Sequence, residues 1–552
     1  MALAPARLAA SETTPAPVTE RERGSRIPVL LILSVAAALR FGAVGYSGSF
    51  LTYQADERFY NVSLPFSLDW THLDPHRFYY PALFWYALFF LDRFTFRIGR
   101  ELGLIHVKSL HHLFETGPIP YFLMGRSLSA LLGTATVALV YRLGRRLYSH
   151  AVGLLAALFL AVAFLHVRDS ALATVDAPST FFVVLSLLGS AGVLEGAGAR
   201  SYTLAAIGGG LAAATKYNAA LVLVSLPVAH GLQLREKRAA ASVGLATLVR
   251  AALVAALVFL AVNPYLMLDW PSARADLLWE IEYQGTGQFL DLGPGWPYHL
   301  TVSLRYGLGI PLLGLALLGI VTTIARRDSA GLVLLAFSAT FFLVMGHSRA
   351  VFVRYMVPLA PVLCLFAASA VFAIAEYAAP LQARRTAFAF SALVAIVPTL
   401  HASLAYGRIV RHADTRIKAY EFVQSTLPAG TPVASYGQPI IWNSTFPSLE
   451  VFHWEKLDGE SWAQSLTRLK ELHVRYFLTH HSSLDVFSPD MPDLEAVLRR
   501  SATPIAEFDF ADPSGGLRPQ PVYDVVDGFY LPIGGFRGVK RPGPLIRLYR
   551  LD

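Results

Sequence analysis

Residues 26–60 read RIPVLLILSVAAALRFGAVGYSGSFLTYQADERFY. The run from Arg26 to Tyr46 is apolar for long enough to cross the ~30 Å of a bilayer's hydrocarbon core as a helix, the form in which a single segment satisfies its own backbone in lipid. Asp56, Glu57 and Arg58 then follow within a few residues of its end. Adjacent carboxylates beside an arginine are costly near hydrocarbon unless they meet water, a cation or a substrate. A solvated loop forming surface ion pairs is the bland account of the motif; a general base for an incoming hydroxyl, carried by Asp56, is the chemical one.

The rest of the chain repeats the apolar theme. Of 552 residues, 54% are hydrophobic and 15% charged, and the mean hydropathy is +0.47, which points to a polytopic α-helical membrane protein. The net charge of +8 comes from short basic clusters between apolar runs, which argues for topology signals and against a nucleic-acid surface. The single cysteine, Cys364, lies in an apolar run, so an intrachain disulfide is excluded. Residues 1–25 are expected to be a disordered cytoplasmic tail.

Placing Arg21/Arg23/Arg26, Arg142/Arg145/Arg146, Arg235/Lys237/Arg238, Arg326/Arg327 and Arg384/Arg385 inside sets the topology, because consecutive inside clusters need an even number of crossings between them. Two segments decide the parity. The aromatic run Pro81–Phe96 is short for a span and reads as an interfacial helix within one long outer loop, Ser47–Pro118. The stretch Tyr202–Leu232 reads as two helices turning near Lys216, since a lysine at the centre of one span would cost about 2.5–3.5 kcal/mol. About eleven crossings result, with the N-terminus inside and the C-terminus outside. Residues 26–405 form the expected membrane domain. From about Tyr406 onward, runs such as VASYG and VRYFLTHH with many turn residues indicate a small soluble α/β domain, 406–552.

The polar connections on the outer side are Ser47–Pro118, Val167–Ala177, Tyr265–Leu300 and His347–Arg354. They carry the candidate residues. Asp56, Glu57 and Asp176 are candidate catalytic carboxylates, although Asp176, just before Pro178, also suits a helix start. Arg58, Arg77, Lys216 and Arg354 are candidate ligands for a phosphate at headgroup depth, with a snorkelling lysine and ordinary lipid headgroups as alternatives. Tyr60, Tyr80, Tyr298 and His299 are candidate sugar contacts, or simple membrane-surface anchors. No metal-ligand motif and no nucleotide-binding glycine loop is present.

In order, the motif Asp56-Glu57-Arg58, the stretch HRFYYPALFW (His76–Trp85), Arg126-Ser127-Leu128, VRDSALATVDAPSTFF, AATKYNAALVL and RYMVPLAPVL resemble the glycosyltransferase C superfamily. The likeness extends over roughly residues 27–405, to bacterial members similar to the dolichyl-phosphate-mannose protein mannosyltransferases and the aminoarabinose transferase of lipid A. It implies a metal-independent or metal-tolerant inverting transfer from a polyprenyl-phosphate hexose or pentose, without a cofactor. Asp56 would activate the acceptor and the basic residues would hold the lipid phosphate. Where aminoarabinose transferases carry a lysine before paired prolines, this chain has Tyr79-Tyr80-Pro81-Ala82, and the WWD signature of oligosaccharyltransferases is absent. The expected partners are the lipid-linked donor, membrane lipid and a glycan, lipid or protein acceptor, at a bacterial cytoplasmic membrane. A transporter or flippase for a lipid-linked envelope precursor is the competing class, but it would more often show charge near the midplane and repeated halves.

Overall fold

The structure, a computed structural model, describes residues 26–45, 56–117, 119–236, 244–287, 290–378, 380–437, 450–482, 488–512, 519–525 and 530–551. The expected tail at 1–25 lies outside them. Among the described residues, eight helices are long and apolar enough to cross a membrane, or ten if each of two bent pairs is one span. The remaining segment of the expected eleven is Ala199–Thr215, a helix of 17 residues. Leu30 and Leu31, Leu253 and Leu257, and Phe390 and Leu393 face outward from three of the spans. Apolar surface on this scale needs lipid to cover it, and the chain is a multi-pass membrane protein.

The ambiguous segments resolve by packing. The run beginning at Pro81 becomes the helix Leu83–Glu101, which buries Phe84, Trp85, Leu88 and Phe89 while Phe90, Phe94 and Ile98 remain exposed. That two-faced pattern, with charge at its end, keeps it out of the apolar spans. Near Lys216 the chain breaks as expected: Ala199–Thr215 ends, Lys216 is extended, and a 3₁₀ turn (Tyr217–Val224) leads into Ser225–Arg235. The connection Val167–Ala177 is not a solvated loop. It begins as the helix Phe164–Ser170, bent 59° from His150–Val162, and Arg168, Asp169 and Asp176 are all buried. At that bend the Phe164 N–H donates to Thr399 Oγ1 at 2.9 Å and Ser403 Oγ donates to the Val162 carbonyl at 2.9 Å. Hydroxyls of a neighbouring span thus satisfy the backbone groups that the bend frees, which lipid could not do.

The C-terminal region carries a five-stranded mixed sheet in the order β2-β1-β3-β7-β4. Its strands are β1 (Pro432–Tyr436), β2 (Glu450–His453), β3 (Tyr476–His481), β4 (Ala502–Phe508) and β7 (Leu545–Leu551); β5 (Val522–Tyr523) pairs separately with β6 (Pro532–Gly534). The two-residue period sorts side chains by face. Phe477, Tyr549 and Leu551 pack against the helices Trp462–Glu471 and Met491–Ser501, and Leu478, Ile546 and Leu548 against Thr415–Thr426. The segment around β6 leaves the sheet and joins the core of the helical bundle, where Leu531, Ile533, Phe536 and Val539 are buried. Phe536 meets Phe164 with ring centroids 5.6 Å apart.

Small residues let the spans Asp176–Leu194 and Ala199–Thr215 approach closely, as expected where lipid gives no hydrophobic drive for association. A Cβ on Gly208 would lie 2.6 Å from the Ser186 nitrogen. Gly208→Val therefore forces backbone against backbone, and about 1–3 kcal/mol of stability should be lost. Thermal unfolding in detergent should show a lowered Tm for Gly208→Val and none for Gly314→Ala, whose Cβ meets nothing within 4 Å; equal melting of the two would refute the close approach.

Candidate active site

Asp56 opens the π-helical turn Glu57–Val62, a distortion that recurs at functional sites. Its Oδ2 lies 2.9 Å from Arg354 Nη1 and accepts the Tyr80 hydroxyl at 2.7 Å. Burial and the adjoining Asp56 carboxylate hold the Tyr80 hydroxyl well above its usual pKa, so it remains a donor. Arg354 starts a 3₁₀ segment, Val353–Leu359, and is buried over the Phe352 ring. The next residue, Tyr355, presents its ring 4.4 Å from the Lys216 ammonium, which donates to Asp176 Oδ1 at 2.6 Å. Two cation–carboxylate pairs are thereby coupled through adjacent residues of one turn.

A third pair fixes the geometry of the other two. Glu57, fully buried, accepts from Arg126 Nε at 2.8 Å and Nη2 at 2.9 Å, and its Oε1 also accepts the Ala173 backbone N–H at 2.8 Å. Glu57 directly follows Asp56, and Ala173 precedes Asp176 by three residues. The bidentate fork sets the separation between the two candidate carboxylates.

Beside these pairs lies a cavity of about 530 Å³ whose walls include Tyr80, Lys216, Asn218, Glu280, Gln284 and Tyr355. Glu280 and Gln284 are one turn apart on the helix Trp270–Thr286, and Gln284 Nε2 donates to Glu280 Oε1 at 2.7 Å. Burial raises the Glu280 pKa above the ordinary carboxylate value. Away from the cavity, His76 Nδ1 is 3.5 Å from Asp74 Oδ2 and 3.1 Å from Asp269 Oδ2. These three form the one group with the make-up of a metal-ligand set among the described residues.

Residues 122–267 match the dolichyl-phosphate-mannose-protein mannosyltransferase family. No curated protein matches the chain in sequence. Among solved structures, ArnT from Cupriavidus metallidurans bound to undecaprenyl phosphate superposes with a TM-score of 0.52 and 14% identity, over 95% of this chain and 98% of that one. The archaeal oligosaccharyltransferase AglB from Archaeoglobus fulgidus, in complex with an inhibitory peptide and a dolichol-phosphate, gives a TM-score of 0.50 and 13% identity, over 89% of this chain and 73% of that one. The fold is the glycosyltransferase C fold.

Within this glycosyltransferase C fold, Asp56, Tyr80, Asp176, Lys216 and Arg354 come together, although the sequence spreads them over three connections and the turn at Lys216. Lys216 turns inward onto Asp176 and is 6% exposed, so it does not snorkel. Glu57 lies inside its pair with Arg126 rather than on the cavity wall. Arg77 is exposed and borders a small hollow with Pro75, Tyr86 and Tyr265. Tyr298 donates its hydroxyl to Asp524 Oδ1 at 3.1 Å, and His299, buried, has Nδ1 3.0 Å from Ser303 Oγ; neither lines the cavity. These three were grouped by side of the membrane, and side does not determine which way a side chain faces. The side chains of Arg58 and Tyr60 lie outside the described residues. Sequence reasoning passed over Glu280, Gln284 and Tyr355. The i, i+4 spacing of the first two and the position of Tyr355 beside Arg354 were the available signals.

Removing one member of a buried ion pair leaves the other uncompensated, at a cost of about 3–5 kcal/mol. Arg126→Ala should lower the Tm in detergent markedly, and adding Glu57→Gln should recover much of the loss. A double variant as unstable as the single one would show that the pair does not hold the site.

Proposed function

We propose that the protein is an integral membrane glycosyltransferase that moves a hexose or pentose from a polyprenyl-phosphate carrier to a glycan, lipid or protein acceptor at the outer face of a bacterial cytoplasmic membrane. One observation carries the reading: a carboxylate, Asp56, is held between Arg354 and the Tyr80 hydroxyl, and Tyr355, the residue after Arg354, faces the Lys216–Asp176 pair beside a cavity large enough for a sugar. Residues 26–405 are taken as the catalytic membrane unit and 406–552 as an extracytoplasmic unit. The basic clusters support an N-terminus inside.

In this reading Arg354 and Lys216 bind the lipid phosphate and compensate the charge that collects on it as the glycosyl bond breaks. The acceptor oxygen attacks the anomeric carbon, the phosphate leaves with the bonding electrons, and the acceptor's proton passes to Asp56. A single displacement inverts the anomeric centre. Binding of phosphate to Arg354 draws the guanidinium from Asp56 and leaves that carboxylate free to accept the acceptor's proton. Tyr80 keeps Asp56 oriented, Asp176 holds Lys216, and Glu57 positions both carboxylates from within its pair with Arg126.

The transporter reading has less in its favour. The pairs Asp56–Arg354 and Asp176–Lys216 meet beside one cavity, whereas an ion or substrate pathway would distribute its charges along a route.

Asp56→Asn should reduce transfer about 10²–10⁴-fold, the usual contribution of a general base, while expression is retained and Tm falls because Arg354 loses this carboxylate partner. Incorporation of radiolabelled sugar from a panel of polyprenyl-phosphate sugars, into a crude envelope fraction, measures it. Lys216→Ala and Arg354→Ala should raise the donor concentration needed for half-maximal rate. Near-normal turnover by Asp56→Asn would remove it as the base, and unchanged donor dependence would remove the two cations from the phosphate site.

A further inference from the structure

The cavity has two chemically distinct sides. On one, Lys216 presents a cation. On the other lie Asn218 and Glu280, each with an acceptor atom left over, together with His347 and with Arg349, whose guanidinium is engaged by Asp291 at 2.6 Å. Asn218 donates its amide to the sulfur of Met345 at 3.2 Å, and its Oδ1 is buried without a hydrogen-bond partner among the described residues. Glu280 receives Gln284 Nε2 on Oε1, and no partner is found for its second oxygen among the described residues. Gln284 is itself committed, since its amide also donates to the Tyr355 hydroxyl at 3.3 Å and its Oε1 accepts the Ser348 hydroxyl. A buried acceptor without a donor costs free energy that a ligand can return by supplying one.

A phosphate brings only acceptors and gains nothing from Asn218 Oδ1 or the second Glu280 oxygen, whereas a sugar ring brings hydroxyl donors. We propose that Asn218 Oδ1 and the free oxygen of Glu280 form the sugar-recognition wall of the cavity, each accepting a hydrogen bond from a ring hydroxyl of a neutral hexose or pentose on the donor lipid. The inference rests on the donor reading given above and deepens it by assigning separate places to sugar and phosphate. Gln284, held by Ser348 and Tyr355, is a positioning residue that fixes the Glu280 carboxyl. Ile281, Val344 and Met345 make the cavity's apolar side, suited to the ring's C–H face and the first isoprene unit.

The test uses the full-length protein in lipid with undecaprenyl-phosphate hexoses and pentoses and their mono-deoxy analogues. Asn218→Ala and Glu280→Gln should each lower kcat/KM for the preferred donor at least tenfold, in line with a lost hydrogen bond to a buried group. With the analogue that lacks the contacted hydroxyl, the same substitution should cost nothing further, because the two deletions remove one interaction. Binding of sugar-free undecaprenyl phosphate should be unchanged in both variants, which also shows that they are folded. Equal losses with every deoxy donor, a change confined to the acceptor KM, or weakened binding of undecaprenyl phosphate would each overturn the wall while leaving the transferase reading in place. No transfer by the wild type from any lipid-linked sugar would overturn that reading, and the wall with it.

Discussion

A charge removed from water has to be met by an opposite charge and by hydrogen bonds, and the bidentate contact of Glu57 with Arg126 is where that requirement organises this molecule. The pair joins the turn after the first span to the second span, and the Ala173 N–H on the same carboxylate ties in the buried connection that leads to Asp176. None of these elements can shift without exposing an uncompensated ion in a low-dielectric interior. The pair does not line the cavity, yet it sets the distance between Asp56 and Asp176, whose partners Tyr80 and Lys216 do. Its strength as a constraint comes from the cost of breaking it rather than from any large net stabilisation.

The C-terminal region is coupled to the same centre. Asp524, next to β5 and fully buried, accepts the Tyr298 hydroxyl at 3.1 Å and the Val353 backbone N–H at 3.1 Å. Val353 is the residue before Arg354. A carboxylate from the sheet-bearing region thus helps hold the backbone that aims Arg354, and Leu531, Ile533 and Phe536 of the same region are buried in the bundle. Tyr298 therefore belongs to the support of the arginine and not to the sugar contacts, which accounts for an aromatic loop that looked like a stacking surface from sequence.

The helical architecture was legible in the sequence because hydrocarbon allows little else: apolar length gave the spans, and the cost of Lys216 in mid-helix gave the break between Thr215 and Tyr217. The amphipathic helix after Pro81 was legible for a related reason, since its charged end and short apolar run did not suit a crossing. The grouping of Asp56, Lys216 and Arg354 followed from topology and from the resemblance of their motifs. What the sequence did not reveal was direction. Val167–Ala177 read as a polar connection on the outer face, but its charges are buried and meet opposite charges inside the protein, Arg168 beside Asp169 and Asp176 with Lys216. Likewise Arg77 and His299 share a side of the membrane with the site without facing it. Glu280 escaped notice because it is one of three acidic residues, with Asp276 and Glu282, on one helix; its place on the cavity wall distinguishes it from Glu282, two positions on and exposed.

The pairing of Asp56 with Arg354 adds a constraint of its own. A general base poised beside a cavity would also activate water and waste the donor, yet here the carboxylate is occupied by a guanidinium and a phenol. A phosphate competes for the guanidinium with a doubly acceptor-rich edge that suits the arginine fork at least as well as a carboxylate does. In the proposed mechanism the exchange leaves Arg354 partnered before and after the donor binds, and it makes deprotonation of the acceptor conditional on the donor being in place. The buried ion pairs of the resting protein and the chemistry of the loaded one are then two arrangements of the same charges.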